Sequence, residues 1–299
     1  KGMIIDTSLE VTESTLRGGL NITDPNYKFS GNSVNFGVNS KKTDSDEAGY
    51  ENTLSTFNLG TRFEQYKDIY FTPSVEFSHD NLQVESTASD ILKKQDGTFT
   101  DLNLFFGVDR DTRDRSFMPT SGSFLGFTQG VPVYGDDHRS LFNRISLNKY
   151  HGFSDDLIGA FKFYAASIVA VEDDVRISKR LHIPAKRLRG FESKRIGPRD
   201  GADYVGGNFA TAINFEAALP NLLPEATQTD IAAFLDLGNL WYADYDSSVG
   251  QSSKIRSSIG VATNMYTPIG PLNFVFAQDL SSAESDATQS FKFEIGTSF

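Results

Sequence analysis

The feature that most constrains this chain is period-two alternation, which puts every second side chain on one face of an extended strand and repeats here over many short segments. From Ile69 to His79, Ile69, Phe71, Pro73, Val75 and Phe77 share one face, and Tyr70, Thr72, Ser74, Glu76 and Ser78 share the other. Asn32 to Ser40 sets Val34, Phe36 and Val38 against Asn35, Gly37 and Asn39. Thr15 to Ile22 sets Leu16, Leu20 and Ile22 against Arg17 and Asn21. The same reading predicts strands at Met3 to Val11, Asn52 to Phe63, Phe99 to Asp109, Phe124 to Val133, Leu141 to His151, Leu157 to Ala170, Asn208 to Leu219, Ile231 to Trp241, Ile255 to Met265, Leu272 to Gln278 and Phe291 to Phe299. That makes about fourteen strands, most of them reaching the roughly 9 to 11 residues that cross a bilayer at a tilt. No stretch approaches the roughly 18 apolar residues of a membrane-spanning helix.

Composition leaves two all-β architectures open. A chain of 299 residues that is 38% hydrophobic suits a large soluble domain. It suits a transmembrane barrel equally, because only alternate residues of each strand face lipid. A soluble sandwich or solenoid buries its apolar faces against each other and leaves the polar faces wet. Here the polar faces are rich in Gly, Asn, Ser and other small residues, as in a crowded lumen, which favours an antiparallel transmembrane β-barrel. Connections alternate between short turns (Thr23 to Tyr27, Glu64 to Asp68, Phe153 to Asp156, Thr267 to Pro271) and longer polar loops (Lys41 to Tyr50, Asp80 to Gly97, Glu172 to Gly206, Tyr242 to Lys254, Asp279 to Thr288). Successive long loops are one hairpin apart, so all lie on one side of the barrel. Ser89 to Lys94 is expected to form a turn of helix within its loop. Tyr66, Tyr70, Trp241, Tyr242, Tyr245 and Tyr266 fall at strand ends, where aromatic girdles meet the membrane interface. The chain reads as one domain over 1–299.

A net charge of -11 argues against nucleic acid as a partner, since phosphate neutralisation needs a basic face. The acidic residues gather in the loops, as in Thr43 to Glu47 and at Asp136 and Asp137. With no cysteine there is neither a disulfide framework nor a thiolate metal site. Lys1 opens directly into an alternating run without a secretory leader, so a mature chain or a fragment is expected. His79, His138, His151 and His182 sit apart, none with a partner at ligand spacing. No cofactor is expected, and no enzymatic activity.

Two segments carry a resemblance. Phe291, Lys292, Phe293, Glu294, Ile295, Gly296, Thr297, Ser298 and Phe299 make a terminal strand ending on an aromatic carboxyl terminus, which resembles the β-signal of outer-membrane barrels. Leu188, Arg189, Gly190 and Phe191, followed by Ile196, Gly197 and Pro198 and later by Gly206 and Gly207, resemble the sixth-loop motif of the BamA family of outer-membrane assembly factors, whose first residue is normally Val. Asp111 to Asp114 with Pro119 and Gly122 resembles that family's mid-barrel turn. Ile255 to Gln278, with Pro268, Gly270, Pro271 and Leu272, resembles its penultimate hairpin.

The resemblance implies that loop 172–206 folds back into the lumen and that Arg189 meets acidic residues of the inner wall. Parity supplies candidates: Glu216 shares a face with Asn208, Ala210, Ala212 and Asn214, and Asp236 shares one with Ala232, Phe234 and Gly238. A guanidinium fork pairs with carboxylates bidentately. On chemistry alone Arg189 is equally well a solvated loop cation, and the motif favours the latch. The family further implies a lateral seam at the last strand, here Phe291, Phe293, Ile295, Gly296 and Phe299. It implies nascent outer-membrane β-barrel proteins, periplasmic assembly lipoproteins and outer-membrane lipid as partners, in the outer membrane of a bacterium. Aligned by its turns, the chain starts at the third of the family's sixteen strands, without the periplasmic POTRA domains. A two-partner secretion pore of the same superfamily and a passive diffusion porin are the alternatives.

Overall fold

The computed structural model describes residues 2–11, 15–45, 48–116, 118–135, 138–223, 229–244, 249, 253–267 and 270–295, without the side chains of residues 266, 267, 270, 271 and 295. Asp136, Asp137, Tyr245, Pro268, Gly296 and Phe299 therefore lie outside the described residues, as do Asp46 and Glu47 and the side chains of Tyr266 and Ile295.

Fourteen strands form one antiparallel sheet in chain order. They are β1 (Ile4–Val11), β2 (Thr15–Asp24), β3 (Ser33–Ser45), β4 (Tyr50–Tyr66), β5 (Ile69–Val84), β6 (Gly97–Asp111), β7 (Gly122–Gly135), β8 (Ser140–Ser154) and β9 (Leu157–Ala170), then β12 (Phe209–Leu219), β13 (Thr229–Trp241), β14 (Arg256–Thr267), β15 (Gly270–Ser281) and β16 (Phe291–Ile295). Between β9 and β12 a two-stranded ladder of β10 (Arg199–Asp200) and β11 (Asp203–Tyr204) stands apart from the sheet. Each strand pairs with its chain neighbours, as Asn58 with Glu76 and Asn214 with Asp236. Among the described residues, β1 and β16 share no ladder.

The faces are inverted relative to a water-soluble protein. Leu59, Phe77, Phe127 and Phe215 are 42–49% exposed, whereas Ala212, Asn214 and Asp236 are fully buried. Large apolar side chains thus point away from the protein and polar ones point inward, as lipid on the outside requires. The sheet curls around a lumen: one connecting segment, 171–208, reaches Asp80 on β5, Asp101 on β6 and Asp236 on β13 through the same inner face. This is an antiparallel transmembrane β-barrel fold.

Several ladders outrun the alternation that predicts them. β3 and β4 continue to Ser45 and Tyr50 through the polar stretch after Ser40, and β5 continues five residues past His79 to Val84. Beyond the hydrocarbon, water wets both faces and the apolar period lapses, while backbone pairing needs no such period. The helical turn in the β5–β6 loop is α1 (Asp90–Lys93), where the Ser89 side chain accepts a bond from the Leu92 amide at 3.2 Å. Tyr66 is exposed as expected of a girdle residue. Tyr70 instead faces the lumen, its ring 4.3 Å from the Arg62 guanidinium that pairs with Asp109.

Phe215 lies mid-strand on the outer face, so Phe215→Arg should cost about 2–4 kcal/mol in a bilayer. Ser146→Lys, on the lumen wall, should change stability by no more than about 0.5 kcal/mol. Denaturant titration of the folded protein in lipid vesicles measures both, and equal losses would place the outer face elsewhere than in lipid.

Candidate functional site

Segment 171–208 is a connection outside the sheet, yet it carries Val175, Ile177, Leu181, Ile183, Leu188, Phe191, Ile196 and Val205, all buried. Apolar residues at such spacing need a surface to cover them. They find it inside the barrel, where Leu181, Ile183, Leu188, Phe191 and Ile196 pack with Ala166 and Ile168 of β9, Ala210 and Ala212 of β12, and Leu240 of β13. Small alanines on the wall leave the room that the loop occupies.

The loop's cations fix its place. Arg189 Nε donates to Asp236 Oδ2 and Nη2 to Oδ1, both at 2.7 Å, a bidentate fork, and the Arg189 amide adds a bond to Oδ2 at 3.0 Å. Nη2 also lies 2.8 Å from Glu216 Oε1, and the guanidinium sits 3.7 Å from the centroid of the Phe234 ring. Asn214 donates to Asp236 Oδ1 and to the Arg187 carbonyl, both at 2.8 Å, and Lys162 pairs with Glu216. Two carboxylates thus meet two cations. Burial disfavours the Arg189 charge, but the two carboxylates outweigh it and hold the guanidinium above its ordinary value.

The motif's glycines are needed where they stand. Gly190 has φ +87°, and a Cβ there would lie 3.1 Å from both Ala277 Cβ and Ser258 Cβ. Gly197 has φ +97°, and its Cβ would fall 2.7 Å from Leu240 Cδ2. Leu188, Phe191 and Ile196 are in the lumen cluster, and the Pro198 carbonyl accepts from the Val205 amide at 3.2 Å. Phe291 and Phe293 of β16 are exposed on the outer face, Phe293 stacked on Phe274 of β15 and Phe291 tilted against Phe276.

Other ionic clusters were not singled out from sequence. Arg176, fully buried, reaches Asp101 at 3.1 Å and Asp80 at 3.4 Å, and packs 4.0 Å from the Phe99 ring. Lys179 adds a contact to Asp101 at 2.7 Å, Ser178 donates to Asp80 at 2.6 Å, and the Ile177 amide donates to Gln95 at 2.8 Å. Burial pulls the Lys179 ammonium below its ordinary value against the opposing pull of Asp101. Arg180 binds Asn208 and Asp244. Arg256 and Asp286 form a fully buried pair at 2.8 Å. The signal for Asp80 was parity, since it continues the inward row Thr72, Ser74, Glu76, Ser78 once β5 is extended past His79.

The histidines remain apart. His138 Nδ1 bonds the Asp174 carbonyl at 2.7 Å, His151 packs edge-on to Phe153, and His79 bonds Thr100. His182 is buried in the lumen loop with Nδ1 unpartnered among the described residues, and burial pushes its pKa down to about 3. Lumen space beside the loop includes a cavity of about 700 Å³ bounded by Asn58, Arg62, Asp109, Arg144 and Arg187.

A family model described as the Omp85 superfamily domain matches residues 1–299. The chain is 24% identical to the outer membrane protein assembly factor BamA of Neisseria meningitidis, over 96% of this chain and 42% of that protein. It is 26% identical to BamA of Neorickettsia risticii, over 72% and 30%. The chain therefore spans less than half the length of these relatives. The crystal structure of BamA from Haemophilus ducreyi lacking POTRA domains 1–3 superposes with a TM-score of 0.82 at 19% identity, covering 98% of this chain and 64% of that one. CdiB from Escherichia coli superposes with 0.60 at 12%, covering 93% and 52%.

Arg189→Ala leaves Asp236 without a cation and Glu216 with Lys162 alone, and should cost about 3–5 kcal/mol, most of it recovered by adding Asp236→Asn. Unfolding midpoints in vesicles measure this, and an unaffected single variant would remove the latch. His182 is held neutral when folded but protonates below about 6.5 when unfolded. Its contribution is therefore complete above that pH and is lost as pH falls from about 6.5 toward 3. His182→Gln should flatten this acid limb by up to about 1.4 kcal/mol per pH unit. Identical pH-stability curves for the two proteins would contradict it.

Proposed function

The chain belongs to the Omp85 superfamily, and on that footing we propose that it is the membrane-spanning part of a machine that folds and inserts β-barrel proteins into an outer membrane. It is an integral outer-membrane protein. Nascent β-barrel proteins are its clients, and periplasmic assembly lipoproteins and outer-membrane lipid its partners in this reading.

One observation carries the choice among barrel functions. The lumen is crossed by a loop that is bound at both walls, Arg176 to β5 and β6 and Arg189 to β12 and β13, over an apolar cluster. A passive diffusion porin needs an open aqueous passage, whereas a barrel that works at its edge can be filled. In this reading the last strand, β16, supplies the working edge of the barrel. Unpaired backbone groups on such an edge can template an incoming strand. Thinned lipid beside the edge would lower the cost of insertion. Nothing in this mechanism needs covalent chemistry, a nucleotide or a metal, so the protein is proposed not to be an enzyme. Arg189 braces the barrel while the seam works.

A two-partner secretion pore of the same superfamily is the second reading. The chain shares its fold with CdiB at a TM-score of 0.60, against 0.82 for BamA from Haemophilus ducreyi.

The test uses the full-length protein in liposomes with an unfolded client barrel, following the heat-resistant folded band. Client folding should run at least about tenfold faster than in empty liposomes, ~1.4 kcal/mol off the barrier, and Arg189→Ala should lose most of that gain. Equal rates with and without the protein would overturn the assembly reading. Client polypeptide recovered soluble in the opposite compartment would favour the secretion pore.

A further inference from the structure

The described part of the last strand, Phe291–Ile295, pairs with Leu272–Phe276 of β15 and has no second ladder partner among the described residues. The segment leading into it is held quite differently. Gln289 donates its amide to the Gly190 carbonyl at 3.0 Å, Glu192 donates to Ala287 O at 3.0 Å, and Ala287 donates to Arg195 O at 3.0 Å. Phe191 and Thr288 form an antiparallel bridge between these bonds. Tyr204 of the lumen loop donates its hydroxyl to the Ser285 carbonyl. The lumen loop thus lies as a short strand against the run-in to β16, beginning one residue after the Arg189 anchor.

Directly before that contact stands Asp286. Its carboxylate takes Arg256 Nε at 2.8 Å and Nη2 at 2.9 Å, and it also accepts the Ala283 amide at 2.6 Å. Arg256 Nη1 donates to Asn239 Oδ1 on β13 at 2.7 Å and to the Lys254 carbonyl at 3.1 Å. Both charged side chains are fully buried. Ser258, two residues along β14, donates to the Arg189 carbonyl. A single guanidinium therefore joins β13, β14 and the run-in, and a neighbouring hydroxyl joins β14 to the loop. The arrangement has no role in the Arg189 latch itself, which is complete through Asp236 and Glu216.

We infer that Arg256 and Asp286 are positioning residues for the last strand: they clamp the run-in at its amino-terminal end to β13 and β14, beside the bonds that tie 287–289 to the lumen loop. The inference rests on the reading that the last strand forms the working seam. Its physical basis is the convergence of attachments on one short segment. Residues 286–290 are bonded to the loop, to β14 through Arg256 and to β15 through the Ser290 carbonyl, which accepts from the Ala277 amide at 2.9 Å. Because a buried bidentate pair loses both bonds together when its geometry is disturbed, the clamp is either made or broken rather than gradually stretched.

Amide hydrogen exchange on the full-length protein in lipid nanodiscs tests this without any client, so the outcome stands whether or not the protein inserts barrels. Asp286→Asn should speed exchange at 287–295 at least tenfold and leave β5, β6 and the Arg189 amide unchanged. Arg256→Lys, which keeps the charge and loses the fork, should produce a smaller rise in the same segment. Acceleration spread evenly over the whole barrel, or none at 287–295, would overturn the assignment.

Discussion

Hydrocarbon offers a backbone amide no hydrogen-bond partner, and each one left unpaired there costs several kcal/mol. Everything else in this molecule follows from that cost. It forces the fourteen strands into one continuous antiparallel sheet, and it turns Leu59, Phe77, Phe127 and Phe215 outward, where a water-soluble protein would hide them. The same cost makes any unpaired strand edge in lipid reactive toward another strand, which is the property the proposed assembly function uses.

The interior obeys a second balance. Buried ion pairs are weak sources of net stability, because desolvation offsets most of their attraction, but they are demanding about geometry. The lumen loop uses them that way. Its apolar residues supply the favourable burial, and Arg176, Arg180 and Arg189 specify which wall each part of the loop must touch. A wall carboxylate without its cation is costly, so a misplaced loop is penalised several times over. The loop also bonds to the run-in of the last strand, which places the seam and the lumen plug in one hydrogen-bonded unit.

Strand number and facing were legible in the sequence because lipid imposes a strict two-residue period. That period placed Glu216 and Asp236 on the inner face before any contact was known, and both stand there beside Arg189. Legibility ended where the period ended. The extension of β3 through Ser45 and of β5 through Val84 lies outside the lipid, where neither face is obliged to be apolar. Cutting β5 at His79 hid Asp80, and with it the partner of Arg176. The bonds between 190–195 and 287–289 join backbone to backbone and leave no trace in side-chain pattern. Tyr70 was read both as an inward residue and as a girdle aromatic; parity was the better guide, since its ring packs under Arg62 in the lumen.

The central claim is that one face of this sheet meets lipid and the other encloses the loop. Residues 1–299 contain no cysteine, so single spin-labelled cysteines can be placed one at a time along 209–219 of the full-length protein, freed of any cysteine elsewhere, in a bilayer. Collision with lipid-soluble oxygen should be high at 211, 213, 215 and 217 and low at 210, 212, 214 and 216, where β12 packs against the loop or the latch. Equal accessibility along the strand, or oxygen contact at the even positions, would contradict the account.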